Sequence, residues 1–191
     1  MKTTQAYLFL TLVALALSCS PIPKIDQQDY CYADYAFEAE VKASKGLVDN
    51  RYFEYEIYVH TVYKGDVKEK LATDTIFGEG PSNSCGPDVL DEGETYLIYA
   101  KETDGKIKLT TYRKISYVSD DDIVRMTTNY DCSCEVKFNY DKIFRPEGSF
   151  PDLPAASENE CNVPEKWCSR NSYCKRNDEG QCTWGELGDC Y

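Results

Sequence analysis

From Ala36 to Ala43 the chain alternates: Phe37, Ala39 and Val41 are apolar, and Glu38, Glu40 and Lys42 between them are charged. A period of two predicts a strand with one face on a core. Tyr52 to Tyr63 is a longer β-branched and aromatic run with Glu54 and Glu56 on alternate positions, and Thr73 to Phe77 is a third, shorter strand. Thr95 to Ala100 is apolar, and Lys106 to Tyr112 alternates strictly. Asp104-Gly105 between the last two is a dipeptide that closes tight hairpins. Five strands with few helices predict a mainly β fold built on a small closed barrel.

Two helices flank the strands in this reading. Residues 25–35 follow Pro23, and residues 120–129 follow Ser119, a good N-cap. Asp120, Asp121 and Asp122 in the first turn suit the positive end of the helix dipole. The alternative for this triplet, a calcium loop, lacks the spaced ligands and the glycine of an EF-hand. Residues 145–164 are rich in Pro, Ser, Glu and Asn and predict a long loop. There is no internal repeat and no low-complexity tract.

The first residues bear on the compartment. Lys2 precedes an apolar run from Ala6 to Leu17, too short to span a bilayer comfortably, and Ala16-Leu17-Ser18 is a small-x-small cleavage pattern. Residues 1–18 are therefore expected to be a signal peptide, with Cys19 as the first residue of a secreted, extracellular protein. No later stretch is apolar enough for a membrane span. Leu17-Ser18-Cys19-Ser20 also loosely resembles a bacterial lipobox, but Leu17 stands one place too close to the Cys, and nine further cysteines argue against that origin. The chain of 191 residues has 21 Lys and Arg against 33 Asp and Glu, a net charge of −12. An acidic surface argues against nucleic acid and anionic membrane as partners.

The ten cysteines, Cys19, Cys31, Cys85, Cys132, Cys134, Cys161, Cys168, Cys174, Cys182 and Cys190, are an even number in a chain expected to be exported, which reads as five disulfides. A zinc site is a poor alternative: His60 is the single histidine and no paired CxxC knuckles occur. Cys132-Ser133-Cys134 is either a metal or redox pair or two cysteines bound for different partners. Residues 19–131 hold three cysteines and residues 132–191 hold seven. The first part can bury a core; the second needs bridges. This asymmetry predicts a boundary just after Cys132, with one unit at 19–132 and a small disulfide-rich C-terminal unit at 133–191.

Nothing in the residues points to an enzyme. No GxSxG, HExxH or P-loop occurs. His60 lies mid-strand without a nucleophile motif near it, Trp167 and Trp184 read as packing in the cysteine-rich part, and most of the sixteen tyrosines fall on strands.

Several fragments in order carry a resemblance. Cys19-Ser20-Pro21-Ile22-Pro23, then Cys31, Tyr63-Lys64-Gly65, Ser84-Cys85-Gly86, Tyr96-Leu97-Ile98, Asp104-Gly105 and Leu109-Thr110-Thr111 resemble the tissue inhibitors of metalloproteinases, and Cys182-Thr183-Trp184 resembles that family's C-terminal end. The similarity is clear over 19–134 and loose over 135–191. It implies an OB-fold, or netrin-like, barrel for 19–132. It also implies the bridges Cys19–Cys85 and Cys31–Cys132, with Cys134 reaching Cys182; the pairing of Cys161, Cys168, Cys174 and Cys190 stays open. The family usually begins Cys-x-Cys. Here Pro21 stands for the second cysteine and Tyr112 for its partner, so both halves of one bridge are absent together.

The resemblance implies a protein inhibitor of zinc metalloproteinases of the matrix type. The α-amine and carbonyl of Cys19 would occupy the open position on the target's catalytic zinc and expel its water. The metal belongs to the target; no cofactor of the chain's own is implied. Cys19, Ser20, Pro21, Ile22 and Pro23 would form one ridge with Asn83, Ser84 and Cys85. Ser20 would face the specificity pocket, and the C-terminal unit would add contacts to the target or to other extracellular proteins. Pro21 and Pro23 stiffen the strip, but Pro21 offers no N–H to a protease wall. The alternative is a netrin-like extracellular binding or matrix protein that keeps the scaffold without inhibition.

Overall fold

The alternation in the first half places every second side chain on one face, and those faces close around a common core. The structure, a computed structural model, describes residues 22–67, 74–145 and 147–186. Strands β1 (Tyr35–Val48), β2 (Tyr52–Lys64), β3 (Thr75–Glu79), β4 (Thr95–Thr103) and β5 (Lys106–Lys114) form a closed barrel in the order β1-β2-β3-β5-β4. Phe37, Ala39 and Val41 of β1 point inward with Tyr55, Ile57, Ile76, Ile98 and Leu109. β1, β2, β4 and β5 run longer than the alternation alone predicts, while β3 keeps the expected length and begins two residues after the expected Thr73. Pairing beyond the alternating stretch extends the four longer strands.

Closure needs two things that local pattern does not carry. The pairing of β1 with β2 shifts register at four places, between Ala36 and Phe37, Glu38 and Ala39, Val41 and Ala43, and Ser44 and Gly46. Such bulges bend and coil a strand so that it can wrap. The seam is a parallel pairing of β3 with β5 at Phe77 and Lys108. The β4–β5 hairpin turns through Asp104 and Gly105, both at positive φ (55° and 70°), as a two-residue turn requires.

The start of β1 (residues 35–37) and the middle of β4 (residues 96–100) are buried on both faces. Outside the barrel, Ala36, Leu97 and Tyr99 pack with Ala33 and Met126, under Tyr30, Ile115, Ile123 and Tyr130. The cover consists of helix α1 (Asp26–Tyr32), shorter than the expected 25–35, and helix α2 (Asp120–Val124), which continues as a wider π-type turn over Arg125–Asn129. Ser119 caps α2: its Oγ accepts from the Asp122 N–H at 3.2 Å.

The cysteine-rich part holds helix α3 (Tyr140–Phe144) and two small sheets. β6 (Glu135–Lys137) pairs in parallel with β7 (Glu160–Asn162), and β8 (Tyr173–Arg176) pairs antiparallel with β9 (Cys182–Glu186). The expected loop over 145–164 is corrected at its end, where β7 completes the first sheet. Bridges join Cys31 to Cys132, Cys134 to Cys182 and Cys161 to Cys174. Trp167 and Trp184 pack on this second core. Among the described residues no helix is long and apolar enough to cross a membrane.

Candidate functional site

Two segments carry the residues singled out for function. The first enters the described part at Ile22, whose side chain is 61% exposed; Pro23 is half-buried. Ile25 is fully buried, packed with Cys134, Val136, Phe138, Cys161, Cys174 and Cys182 of the C-terminal part. The chain thus passes from surface to core in three residues. Cys19, Ser20 and Pro21 lie outside the described residues, as does Cys190.

α1 is fastened from its first turn. The Asp26 N–H donates to the Ser169 carbonyl at 2.7 Å. The buried Gln27 amide donates to the carbonyls of Cys174 at 2.7 Å and Asp131 at 3.0 Å, and accepts from the Cys174 N–H at 2.7 Å. The buried Asp26 carboxylate accepts from the hydroxyls of Tyr99 and Tyr130 at 2.9 and 3.1 Å, and from Arg113 at 3.1 Å. Burial beside that carboxylate pushes both phenols well above their usual range. At the far end Lys64 Nζ donates to the carbonyls of Tyr30, Cys31 and Ala33 at 2.7, 3.2 and 2.6 Å, supplying partners the last turn lacks. Burial draws the Lys64 ammonium below its usual range.

The second segment is the loop after β3, residues 80–88. Ser84 and Cys85 are exposed and Asn83 is half-buried. Asn83 Oδ1 accepts from the Cys85 N–H at 2.9 Å, and its carbonyl accepts from the Gly86 N–H at 3.0 Å, so the three residues form a local turn. The loop's return is tied to the barrel. Asp88 Oδ2 accepts from the Glu79 N–H at 2.8 Å, and burial raises this carboxyl above its usual range. Tyr55 Oη donates to the Asp88 carbonyl at 2.7 Å and accepts from the Leu90 N–H at 3.2 Å, while Tyr96 Oη accepts from the Asp91 N–H at 2.9 Å. A pair of core tyrosines therefore holds the base of an exposed loop.

Cys85 and Cys168 are disulfide-bonded to partners outside the described residues, so the expected Cys19–Cys85 bridge also lies outside them. Cys132 and Cys134 go to different partners, as one of the two readings of that motif had it. The sulfurs of Cys134, Cys174 and Cys182 lie within 4.8 Å of one another, but each is in a disulfide and offers no thiolate. His60 stands on the exposed face of β2, 3.9 Å from Glu40. Between α1 and residues 132–136 runs a groove of about 510 Å³ whose walls include Ile22, Lys24, Tyr32 and Tyr140.

Sequence reasoning missed Asp26, Gln27, Tyr55 and Tyr96. Asp26 and Gln27 sit in a short polar helix and Tyr55 and Tyr96 on ordinary strands, so no local pattern marks them; their side-chain hydrogen-bond partners lie 33 to 147 residues away, except for the Tyr96–Asp91 contact.

No curated protein matches the chain. The family model described as Tissue inhibitor of metalloproteinase matches residues 16–184, so the chain belongs to that family, whose members are inhibitors of metalloproteinases rather than enzymes.

Proposed function

We propose that the protein is a secreted inhibitor of matrix-type zinc metalloproteinases, and that the free α-amine and carbonyl of Cys19 chelate the target's catalytic zinc. The loop 80–88 carries this reading: Ser84 and Cys85 are exposed, Cys85 is bridged, and the loop base is tied to Tyr55 and Tyr96. A bridge from Cys19 to Cys85 would hold the chain end against this fixed loop before contact, which lowers the ordering cost of binding. Cys19, Ser20, Pro21, Ile22 and Pro23 then form one ridge with Asn83, Ser84 and Cys85. Zinc that has lost its water has no nucleophile to activate. The metal belongs to the protease, and no cofactor of the chain's own enters the reading. Residues 1–18 serve as the signal peptide, 19–132 as an OB-fold, netrin-like inhibitory unit, and 133–191 as the disulfide-rich unit. The closed order β1-β2-β3-β5-β4 supports the OB-fold assignment.

The test is a titration of the mature protein, once with a free amine and once acetylated, against a panel of matrix-type metalloproteinases. The free form should inhibit stoichiometrically and the acetylated form should not. A free-amine sample that leaves every such protease fully active overturns the reading.

Tyr112 favours a second reading, a netrin-like extracellular binding protein without inhibition. It packs on the barrel core, edge to face with Tyr96 at 5.9 Å, where the resemblance would place a cysteine. The strip is then tied by one bridge instead of two. The same titration separates the two readings.

A further inference from the structure

We propose that the bridges Cys134–Cys182 and Cys161–Cys174 form one exchange site for low-molecular-weight thiols, at which a thiol re-pairs the four cysteines as Cys174–Cys182 and Cys134–Cys161. The inference concerns the C-terminal part alone and does not rest on the reading of Cys19.

Each existing bridge ties one small sheet to the other. Cys134, next to β6, joins Cys182 of β9, and Cys161 of β7 joins Cys174 of β8. The sulfurs of Cys134, Cys174 and Cys182 all lie within 4.8 Å of one another, so the two bridges meet at Cys174. Strand register brings them there. Across β8 and β9, Cys174 stands opposite Trp184 and Arg176 opposite Cys182, which makes Cys174 and Cys182 diagonal neighbours. Across β6 and β7, Cys161 stands opposite Val136, two residues beyond Cys134, and all three side chains face the same core. The re-paired bridges would each lie along one sheet and would no longer join the two sheets.

Cys134 and Cys182 are each 8% exposed, against 3% for Cys161 and 0% for Cys174, so an incoming thiol reaches the Cys134–Cys182 bridge first. Its thiolate attacks Cys134 Sγ, forms a mixed disulfide there and releases Cys182 as thiolate. Cys182 attacks Cys174 Sγ, closes Cys174–Cys182 and releases Cys161 as thiolate. Cys161 attacks Cys134 Sγ in the mixed disulfide, closes Cys134–Cys161 and expels the thiol. Three sulfur–sulfur bonds form and three break, with no net oxidation or reduction. The proton that the thiol gives up on entry is taken back when it leaves, so the thiol acts as a catalyst. Cys31–Cys132 is an internal control. Cys132 is exposed, so a thiol attacks this bridge at least as readily, but it stands outside the sulfur group and recloses on itself.

The test incubates the full-length oxidised protein with reduced glutathione at about pH 8, close to the pKa of a free thiol. The sample is quenched in acid, alkylated and mapped without reduction by tryptic digestion and tandem mass spectrometry. Lys175 and Arg176 separate Cys174 from Cys182, and Lys137 separates Cys134 from Cys161. Cys174–Cys182 and Cys134–Cys161 should appear together and in equal amounts, with Cys31–Cys132 kept. Original pairs alone, alkylated cysteines without the new pairs, or re-pairing that takes in Cys31 and Cys132 to the same extent overturns the inference. Cys161→Ser leaves Cys174 as a thiol beside the other bridge. A fraction of that variant should carry Cys174 bridged to Cys182 or Cys134 without added thiol, and Cys174 free in every molecule overturns the inference as well. Should this variant fail to fold, the unsubstituted protein decides.

Discussion

Arg170 of the C-terminal part reaches the carboxylate of Asp122 at the head of α2, with its Nε 3.0 Å from Oδ1 and an Nη on Oδ2. Arg125 adds a contact at 2.6 Å and the Ser119 N–H another at 2.8 Å. Burial alone would raise this carboxyl; the hydrogen bonds from Arg170 and Ser119 outweigh it and hold the group well below the usual carboxylate range. A carboxyl lowered in the folded state stabilises above its unfolded pKa of about 4 and loses that contribution as pH falls. Chemical denaturation of the unsubstituted protein should show stability declining below pH ~4, and Asp122→Asn should be less stable at pH 7 with a flatter acid limb.

Asp122→Ala leaves the two guanidinium groups without their shared partner. Removing one side of a buried pair costs about 3 kcal/mol or more. Urea denaturation of Asp122→Ala at neutral pH should show a loss of that order.

The bridge Cys31–Cys132 spans 101 positions and ties the end of α1 to the start of the cysteine-rich part. Closing so long a loop stabilises by about 4 to 5 kcal/mol in the chain-entropy picture. Cys31→Ser with Cys132→Ser should lower the urea midpoint accordingly, with far-UV circular dichroism still reporting a β fold below the transition.

Tyr99→Phe removes one donor to the buried Asp26 carboxylate and leaves Tyr130 and Arg113 in place. Hydrogen bonds to charged groups contribute about 1.5 to 3 kcal/mol. Thermal unfolding should register a loss within that range.

Chelation needs a neutral amine, whose ordinary pKa is about 8. The inhibition constant against a matrix-type metalloproteinase should rise as pH is lowered from 8 to about 6, by more than the protease's own pH dependence accounts for. A flat profile after that correction would count against amine ligation.

Some of this protein can be read from residue order alone. A period of two at Phe37, Ala39 and Val41 is a local property of a half-buried strand, and Asp104-Gly105 and Ser119 act on their immediate neighbours, so hairpin and cap follow without knowledge of the rest. The cysteine count and its crowding after residue 131 likewise need only the chain, and so does the family resemblance. The three-dimensional fold decided the rest. It closed the barrel through a parallel contact of Phe77 with Lys108, paired Cys161 with Cys174, and drew Glu160–Asn162 out of an expected loop into a sheet. It also placed Ile25 and Gln27, close behind the expected working end, in the core of the C-terminal part. Gln27 and Cys174 stand 147 residues apart; whether an amide there finds a backbone partner depends on how whole elements dock, and no periodicity encodes that.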